Sequence, residues 1–515
     1  MEKKYVLGID IGTNGVRVGI FDFLGNAAIF RDVPLSLQVP HPGWAEQDPN
    51  DWWSAVCSAS KSAIRESGIR PQSIAGIGID ATCCTVVATD ARMKPLRPAI
   101  MWMDVRSQTQ AERISETKHE ALKYNGYGSV SAEFFPCKAL WLKENEPDLY
   151  HRTVYFMECT EYISYLLTGR LAMSINTVTM RWYYDSKNNG WNRDFYRTIG
   201  LEDVLEKLPS DVLDIGKKLG ELTAEAALQM GLCPGIPVAV GISDAHAGVI
   251  GLNVVASGRT ALITGTSHLH EGLTDLEIHQ KGFFGTFPDA IIQGINLIEG
   301  GQTTTGAIVK WFMDNIAPVY ETEAREKKTD LYTLFEQKAA QIPIGSEGLI
   351  VLDYFQGNRT PFTDGAVRGM IYGLSLKHKP EHIYRAILEG ICYGTKHILD
   401  VFKTAGYQTA ELYASGGAVR NKLWMQMHAD VCNIPIYIPK EKEAPCLGAA
   451  ILGAVCAEVY NDIRTAAEKM VQFVDVIYPN KENHEAYQFY QERYRDAYPM
   501  TSDWMHSVTQ EKQCN

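Results

Sequence analysis

The sequence predicts an α/β protein of two related domains. Three observations carry this. The 515 residues exceed what one ordinary hydrophobic core organises. Strand-like and helix-like segments alternate through the first half. One unit, an apolar strand, a Gly-Thr turn and a returning strand, also occurs twice: Tyr5 to Asp22 reads YVLGIDIGTNGVRVGIFD, and Thr260 to Gly272 reads TALITGTSHLHEG. A boundary near 251–257 separates the copies, giving domains 1–252 and 253–515, the second with a polar, partly helical tail from Lys481.

The first unit is a β-hairpin. Its opening run delivers Asp10 to the turn Gly12-Thr13-Asn14-Gly15, and Val16, Val18 and Ile20 then alternate with Arg17 and Gly19. Glycines let backbone N–H groups close on an anion, and an acid at a strand end can sit beside a metal-bound phosphate. The plainer reading is a tight hairpin with a solvated acid. A helix follows, capped by Asp48 with Pro49 in its first turn and the stripe Trp52, Val56, Ala59, Ala63 on one face. Trp52-Trp53 reads as packing. Ile74 to Asp80 and Thr85 to Ala88 read as a strand pair, and Ala139 to Lys143 and Cys159 to Leu167 as helical.

Composition narrows the function. A net charge of −12 argues against nucleic-acid binding, and an anionic nucleotide would need glycine turns, Mg²⁺ and a few placed cations. No apolar stretch is long enough for a bilayer, and the charged start Met1 to Lys4 runs straight into the first strand, so a cytoplasmic protein without a signal peptide is expected. Eleven scattered cysteines, adjacent only at Cys83-Cys84, suit a reducing compartment and offer no zinc spacing.

Neither a P-loop nor a dinucleotide fingerprint occurs, so phosphates would be held by hairpin turns. In VAVGISDAHAG, residues 238–248, Asp244 ends an apolar strand among small residues. A carboxylate there can take the proton of a hydroxyl that attacks a phosphoryl group, or simply begin the next helix. His246 reads first as a packing residue and second as a support for the site. LIEGGQTTTG, residues 297–306, suits a polar ligand or a helix start capped by threonine. In YASGGAVRN, residues 413–421, Gly416-Gly417 lets a flat ring approach and Asn421 offers an amide. His268 and His270 share a strand face, but no third metal ligand is in sight.

These residues resemble the FGGY carbohydrate kinases. The likeness runs from Tyr5 to about Pro479 and is most specific in Gly369 to Glu389, GMIYGLSLKHKPEHIYRAILE, the family's C-terminal signature. The N-terminal signature is recognisable in Pro136 to Asn145, with departures at Phe135 and Ala139. Gly78 to Cys84, Met101 to Arg106, Ser243 to Gly248, Glu299 to Gln302 and Gln356 to Pro361 look most like pentulose kinases of the D-ribulokinase-like branch. Glycerol kinases carry an Arg-Glu pair where Cys83-Cys84 stands here. Ribulokinase-like relatives often carry lysine at the place of Arg181.

The resemblance implies two ribonuclease H-like domains of the actin, hexokinase and Hsp70 ATPase type, with a cleft between them. It implies ATP-dependent phosphorylation of the terminal hydroxyl of a pentulose, ribulose first. Xylulose, a tetrulose, a pentitol or glycerol are the alternative substrates, and a chaperone or filament ATPase is the non-kinase alternative. Asp244 is then the catalytic base, and Asp10 lies near Mg²⁺ through water. Gly12, Thr13, Arg17, Gly265 and Thr266 face the phosphates. Gly301, Gln302 and Thr305 sit near the nucleotide, and Gly416, Gly417 and Asn421 hold adenosine. Cys83, Arg181, Asp244 and Glu299 line the sugar pocket. The resemblance also leaves a homodimer as the assembly to test.

Overall fold

The computed structural model describes residues 3–127, 130–188 and 190–511. Tyr5–Gly12 (β1) and Gly15–Asp22 (β2) form the expected hairpin, from Tyr5 opposite Asp22 to Gly12 opposite Gly15. Ala27–Pro34 (β3) continues the meander, and Asp48 caps helix Pro49–Ser67 (α1) by accepting the Asn50 N–H. Then come Ile74–Ala81 (β4), helix Ile175–Arg181 (α2), Lys218–Glu221 (β5), Pro237–Ala239 (β6), Ile242–Ser243 (β7) and helix Asp244–Gly251 (α3). The sheet order is β5-β6-β4-β1-β2-β3, with β7 also on β4.

The second half repeats this wiring. Arg259–Thr264 (β8) and His268–Thr274 (β9) are the second hairpin, followed by Gly285–Pro288 (β10) and Asn296–Gln302 (β11). Helices Gly306–Asn315 (α4) and Pro380–Thr404 (α5) precede Glu411–Gly416 (β12), which lies parallel to β8 as β4 lies parallel to β1. Lys422–Cys432 (α6), Ile436–Pro439 (β13), Ala444–Cys456 (α7), Phe473–Ile477 (β14) and Lys481–Glu511 (α8) complete it. The order is β10-β11-β9-β8-β12-β13-β14. A two-domain α/β fold is thus built from two sheets of related wiring. No helix among the described residues is long and apolar enough to cross a membrane.

The expected pairing of Thr85 to Ala88 with Ile74 to Asp80 does not form. Val86–Thr89 pairs instead with Ala99–Ile100 and Tyr155–Glu158 in a separate four-stranded sheet. The chain breaks from β4 because Cys84 takes a left-handed φ of 58°, and the buried Lys138 ammonium holds the carbonyls of Cys84 and Met101. The polar tail is also more committed than its composition suggests. α8 buries Tyr487 and Tyr494, and the Tyr494 hydroxyl donates to Asp353 at 2.6 Å.

Helix α7 lies across β1 and β4 on small residues. A methyl group on Gly78 would fall on the Ala449 carbonyl oxygen, and one on Gly8 on that of Cys446. Backbone cannot give way as a flexible side chain can. Gly78→Ala is therefore expected to lower the unfolding free energy by about 2–3 kcal/mol. Gly365→Ala, where no atom lies within 4 Å of the added methyl, should stay within about 0.5 kcal/mol of wild type. Urea melts of the two variants compare them; equal stabilities would refute this account of the contact.

Candidate active site

Three neighbouring strand ends carry three acids. Asp10 on β1 is the register partner of Asp80 on β4, and Asp80 is the partner of Ile242 on β7, two residues before Asp244. Open α/β sheets bind ligands outside their carboxyl strand ends, and these acids stand there. Asp244 opens α3, and its Oδ1 accepts the Ala245 N–H at 2.7 Å. Burial, and then the charge of Asp10, raise its pKa to about 7. Burial also raises Asp10 to about 6, against the neighbouring Asp80 acid and the charge of Arg17. Asp80 is fully buried with no N–H or O–H donor on either oxygen; burial and the two other acids hold it protonated well above the usual range. A carboxylate poised near neutrality is what general-base work requires.

A cavity of about 530 Å³ opens at Asp10 and Asp244 and is lined from both halves of the chain. Cys83, Arg181, Asp244 and Glu299, expected together from the sequence, all line it. Arg181 ends α2 at 5% exposure, and its Nη2 lies 3.2 Å from Glu299 Oε2. Its guanidinium carbon sits 4.7–4.9 Å from the ring centroids of Phe134, Phe284 and Phe287. Burial opposes its charge, but Glu299 and Glu133 outweigh that and keep it a cation. The Cys83 thiol is held protonated by its hydrogen bond to Cys84 and by burial. His246 does more than pack: it is 1% exposed, yet lines the cavity, and burial depresses its pKa to about 3.

The two glycine turns stand near this cavity and the ones beside it. Thr13 lines the cavity and its hydroxyl accepts the Trp102 indole N–H at 3.0 Å. Gly416 lines it too, while Gly417, Gly265 and Asn421 line an adjoining cavity of about 510 Å³ with Tyr384 and Glu336. Thr266 borders a third cavity shared with Gly265. At Gly12 and Gly265 an added methyl would meet protein only at 3.6 and 3.7 Å, and at Gly417 nothing within 4 Å. Packing alone does not ask for glycine there; close approach of a ligand does. Oxygen donors such as Asp10 suit a hard divalent cation, whose charge would oppose the proton that burial favours.

Other expected contacts are taken up by partners within the protein. Arg17 pairs with Asp32 and Glu443 rather than reaching the cavity. Gly301 is tied through its N–H to Thr360 Oγ1 at 3.2 Å. The Gln302 amide donates to Asp353 Oδ2 at 2.8 Å and accepts from Thr395, inside the core. Thr305 precedes α4 without a side-chain cap and is fully buried, so the expected threonine cap is absent. The backbone supplies the tie instead, as the Thr305 N–H donates to the Thr266 carbonyl at 3.0 Å. Asn421 caps α6 by accepting the Trp424 N–H at 2.9 Å. His268 and His270 turn into the core beside His428, away from the acids. Among the described residues, the group with metal-ligand proximity is instead His246, Glu271 and Glu299. Asp80 and Glu271 were not expected at this site.

Known proteins match this chain over nearly its full length. The description "FGGY family of carbohydrate kinases, N-terminal domain" matches residues 5–251, and the corresponding C-terminal domain matches residues 260–457. The chain is 35% identical to an FGGY carbohydrate kinase domain-containing protein of Xenopus laevis, covering 96% of this chain and 95% of that protein. It is 35% identical to a ribulokinase of Geobacillus thermodenitrificans, with 96% and 94% covered. The solved xylulose kinase of Rhodospirillum rubrum superposes with a TM-score of 0.87 at 25% identity, over 98% of this chain and all of that one.

Proposed function

Because the chain belongs to the FGGY family of carbohydrate kinases, we propose that it transfers the terminal phosphoryl group of ATP to the terminal hydroxyl of a pentulose, ribulose first. The observation that carries this reading is Asp244. It is a buried carboxylate with a pKa of about 7, at the opening of a cavity that also holds Arg181 and Glu299. Similarity to ribulokinases supports the ketose; likeness to a xylulose kinase makes xylulose the competing sugar.

The chemistry follows from placement. The sugar hydroxyl oxygen attacks the terminal phosphorus, its proton passes to Asp244, and the bond to the bridging oxygen breaks, leaving ADP. Sugar sits among the residues of 1–252 with Glu299 closing from the other side. The nucleotide lies along the cavity of Gly265, Gly417 and Asn421, and its phosphates reach Asp244 past Gly12 and Gly416. Mg²⁺ arriving with ATP would be held on the Asp10 side, where it supplies neutralisation of phosphate charge. Closure of the two halves excludes water and so protects ATP from hydrolysis.

A coupled ADP-release screen over D- and L-ribulose, D- and L-xylulose, erythrulose, pentitols and glycerol ranks substrates by kcat/KM. A ribulose is expected to lead. A leading xylulose corrects the sugar, and ATP turnover without any sugar overturns the kinase reading. In the same assay Glu299→Ala should raise the sugar KM by about tenfold or more and leave the ATP KM within about twofold. The reverse order would move Glu299 out of the sugar pocket.

A further inference from the structure

Glu271 is a buried acid to which the mechanism above gives no task. It lies on β9 directly opposite Glu299 on β11, so the two side chains leave the sheet on one face. Glu271 is 1% exposed, lines the sugar cavity, and has no hydrogen-bond partner on either carboxylate oxygen. Burial and then the charge of the opposed Glu299 push its pKa well above the usual carboxylate range, and an unsatisfied buried acid is destabilising. Arg181 is already paired with Glu299. Packing therefore provides no reason for an acid at this position.

His246 stands beside it, with Nε2 3.6 Å from Glu271 Oε1. Asn176 sets its tautomer. The Asn176 amide is oriented by two backbone groups, donating from Nδ2 to Ala290 O at 2.8 Å and accepting at Oδ1 from the Ser243 N–H at 3.0 Å. Nδ2 also faces His246 Nδ1 at 2.7 Å, so Nδ1 accepts and Nε2 carries the proton. This argues against a metal. The donor atoms of His246, Glu271 and Glu299 all lie within 4.8 Å, but a protonated Nε2 has no lone pair to give. Freeing it would flip Asn176 and break both backbone hydrogen bonds. What the Glu271 carboxyl lacks is a hydrogen-bonding partner, and a polyhydroxyl chain carries such groups.

We infer that Glu271 is a specificity-determining sugar contact, forming with Glu299 a two-acid cradle that hydrogen-bonds hydroxyls other than the one facing Asp244. The inference rests on the sugar-kinase reading. It adds a substrate class: chains with two hydroxyls close enough to meet acceptors on opposed residues of neighbouring strands, where Cβ atoms stand about 5 Å apart.

Glu271→Leu and Glu271→Gln test this, with D- and L-ribulose, D-xylulose and their single-deoxy analogues as probes. Thermal melts come first; loss of an unsatisfied buried acid should leave Tm unchanged or raise it. Glu271→Leu is expected to raise the sugar KM by about 10- to 100-fold with the ATP KM unchanged, and Glu271→Gln, which keeps one acceptor, by less. Wild type should discriminate against an analogue lacking the hydroxyl that Glu271 reads, and Glu271→Leu should lose that discrimination at that position alone. A purely structural role would weaken all analogues equally and so overturns the inference, as does an unchanged sugar KM. Stoichiometric divalent metal in the purified protein that is lost in Glu271→Gln overturns it in favour of a metal site. Should Glu271→Leu not fold, Glu271→Gln carries the same comparison. Wild-type turnover on a sugar separates these failures from failure of the kinase reading, which an inert or sugar-independent wild type would overturn together with the inference.

Discussion

Asp244→Asn is expected to lower kcat by about 10²- to 10⁴-fold and leave the KM for ATP close to wild type. Asparagine keeps the acceptor for the Ala245 N–H, so the helix start survives while the proton acceptor is lost. A variant retaining more than about a tenth of the wild-type rate would remove Asp244 from the base role. Wild-type activity should rise with pH through about 7, because only the ionised carboxylate can take the proton. In the variant that limb should disappear.

The same substitution should stabilise the protein in alkali. Asp244 titrates near 3.8 in an unfolded chain and at about 7 when folded, so between these values the native state binds the extra proton. Stability from this group is present below about pH 4 and lost as pH rises to about 7, by up to about 4 kcal/mol. Asparagine carries no charge to desolvate. At pH 8 it should therefore raise the midpoint of urea unfolding, and at pH 4 it should barely move it. A midpoint lowered at both pH values would show that the carboxylate holds the fold together, contrary to the electrostatics of its burial. Loss of activity with gain of stability is the expected mark of a charge kept for chemistry.

How much of this was legible depends on where each residue sits. Asp10 and Asp244 could be read because each ends an apolar run, where a lone acid interrupts the pattern. Asp80 also ends an apolar run, but no glycine turn follows it to suggest a ligand, and only the parallel register of β4 brings it beside Asp10. Glu271 was hidden by alternation: His268 and His270 hold the opposite face of β9 and carry the stronger metal-like signal, yet face the core. Gln302 shows the converse. A polar run after two glycines looks ligand-facing, but the partners Asp353 and Thr395, distant in sequence, draw the amide inward. The pairing of Val86–Thr89 failed for a local reason, the left-handed turn at Cys84, which no propensity for that residue announces. Strand ends and glycine turns are sequence-local features. The partner across a ladder is not.

Arg181→Met is expected to lower stability by about 3–5 kcal/mol and raise the sugar KM by more than about 30-fold. The guanidinium is 5% exposed, and its carboxylate partner Glu299 is equally buried. Removing the cation leaves the buried Glu299 carboxyl facing Glu271 across the ladder without its ion-pair partner. Breaking a buried pair from one side is far more damaging than replacing both partners. Arg181→Met with Glu299→Met should accordingly recover most of the lost stability while leaving the sugar KM high. Arg181→Lys separates the two effects differently. An ammonium restores the charge but not the fork, nor the contact of a flat cation with Phe134, Phe284 and Phe287. It should regain most stability and shift the ranking of ribulose against xylulose. Urea midpoints and the ketose panel, run on all three variants, decide the matter. If the double variant is as unstable as Arg181→Met, the damage comes from lost aromatic contact rather than from an unpaired carboxylate. If Arg181→Lys leaves the sugar ranking untouched, the guanidinium reads no hydroxyl, and discrimination between ketoses rests on the two opposed glutamates.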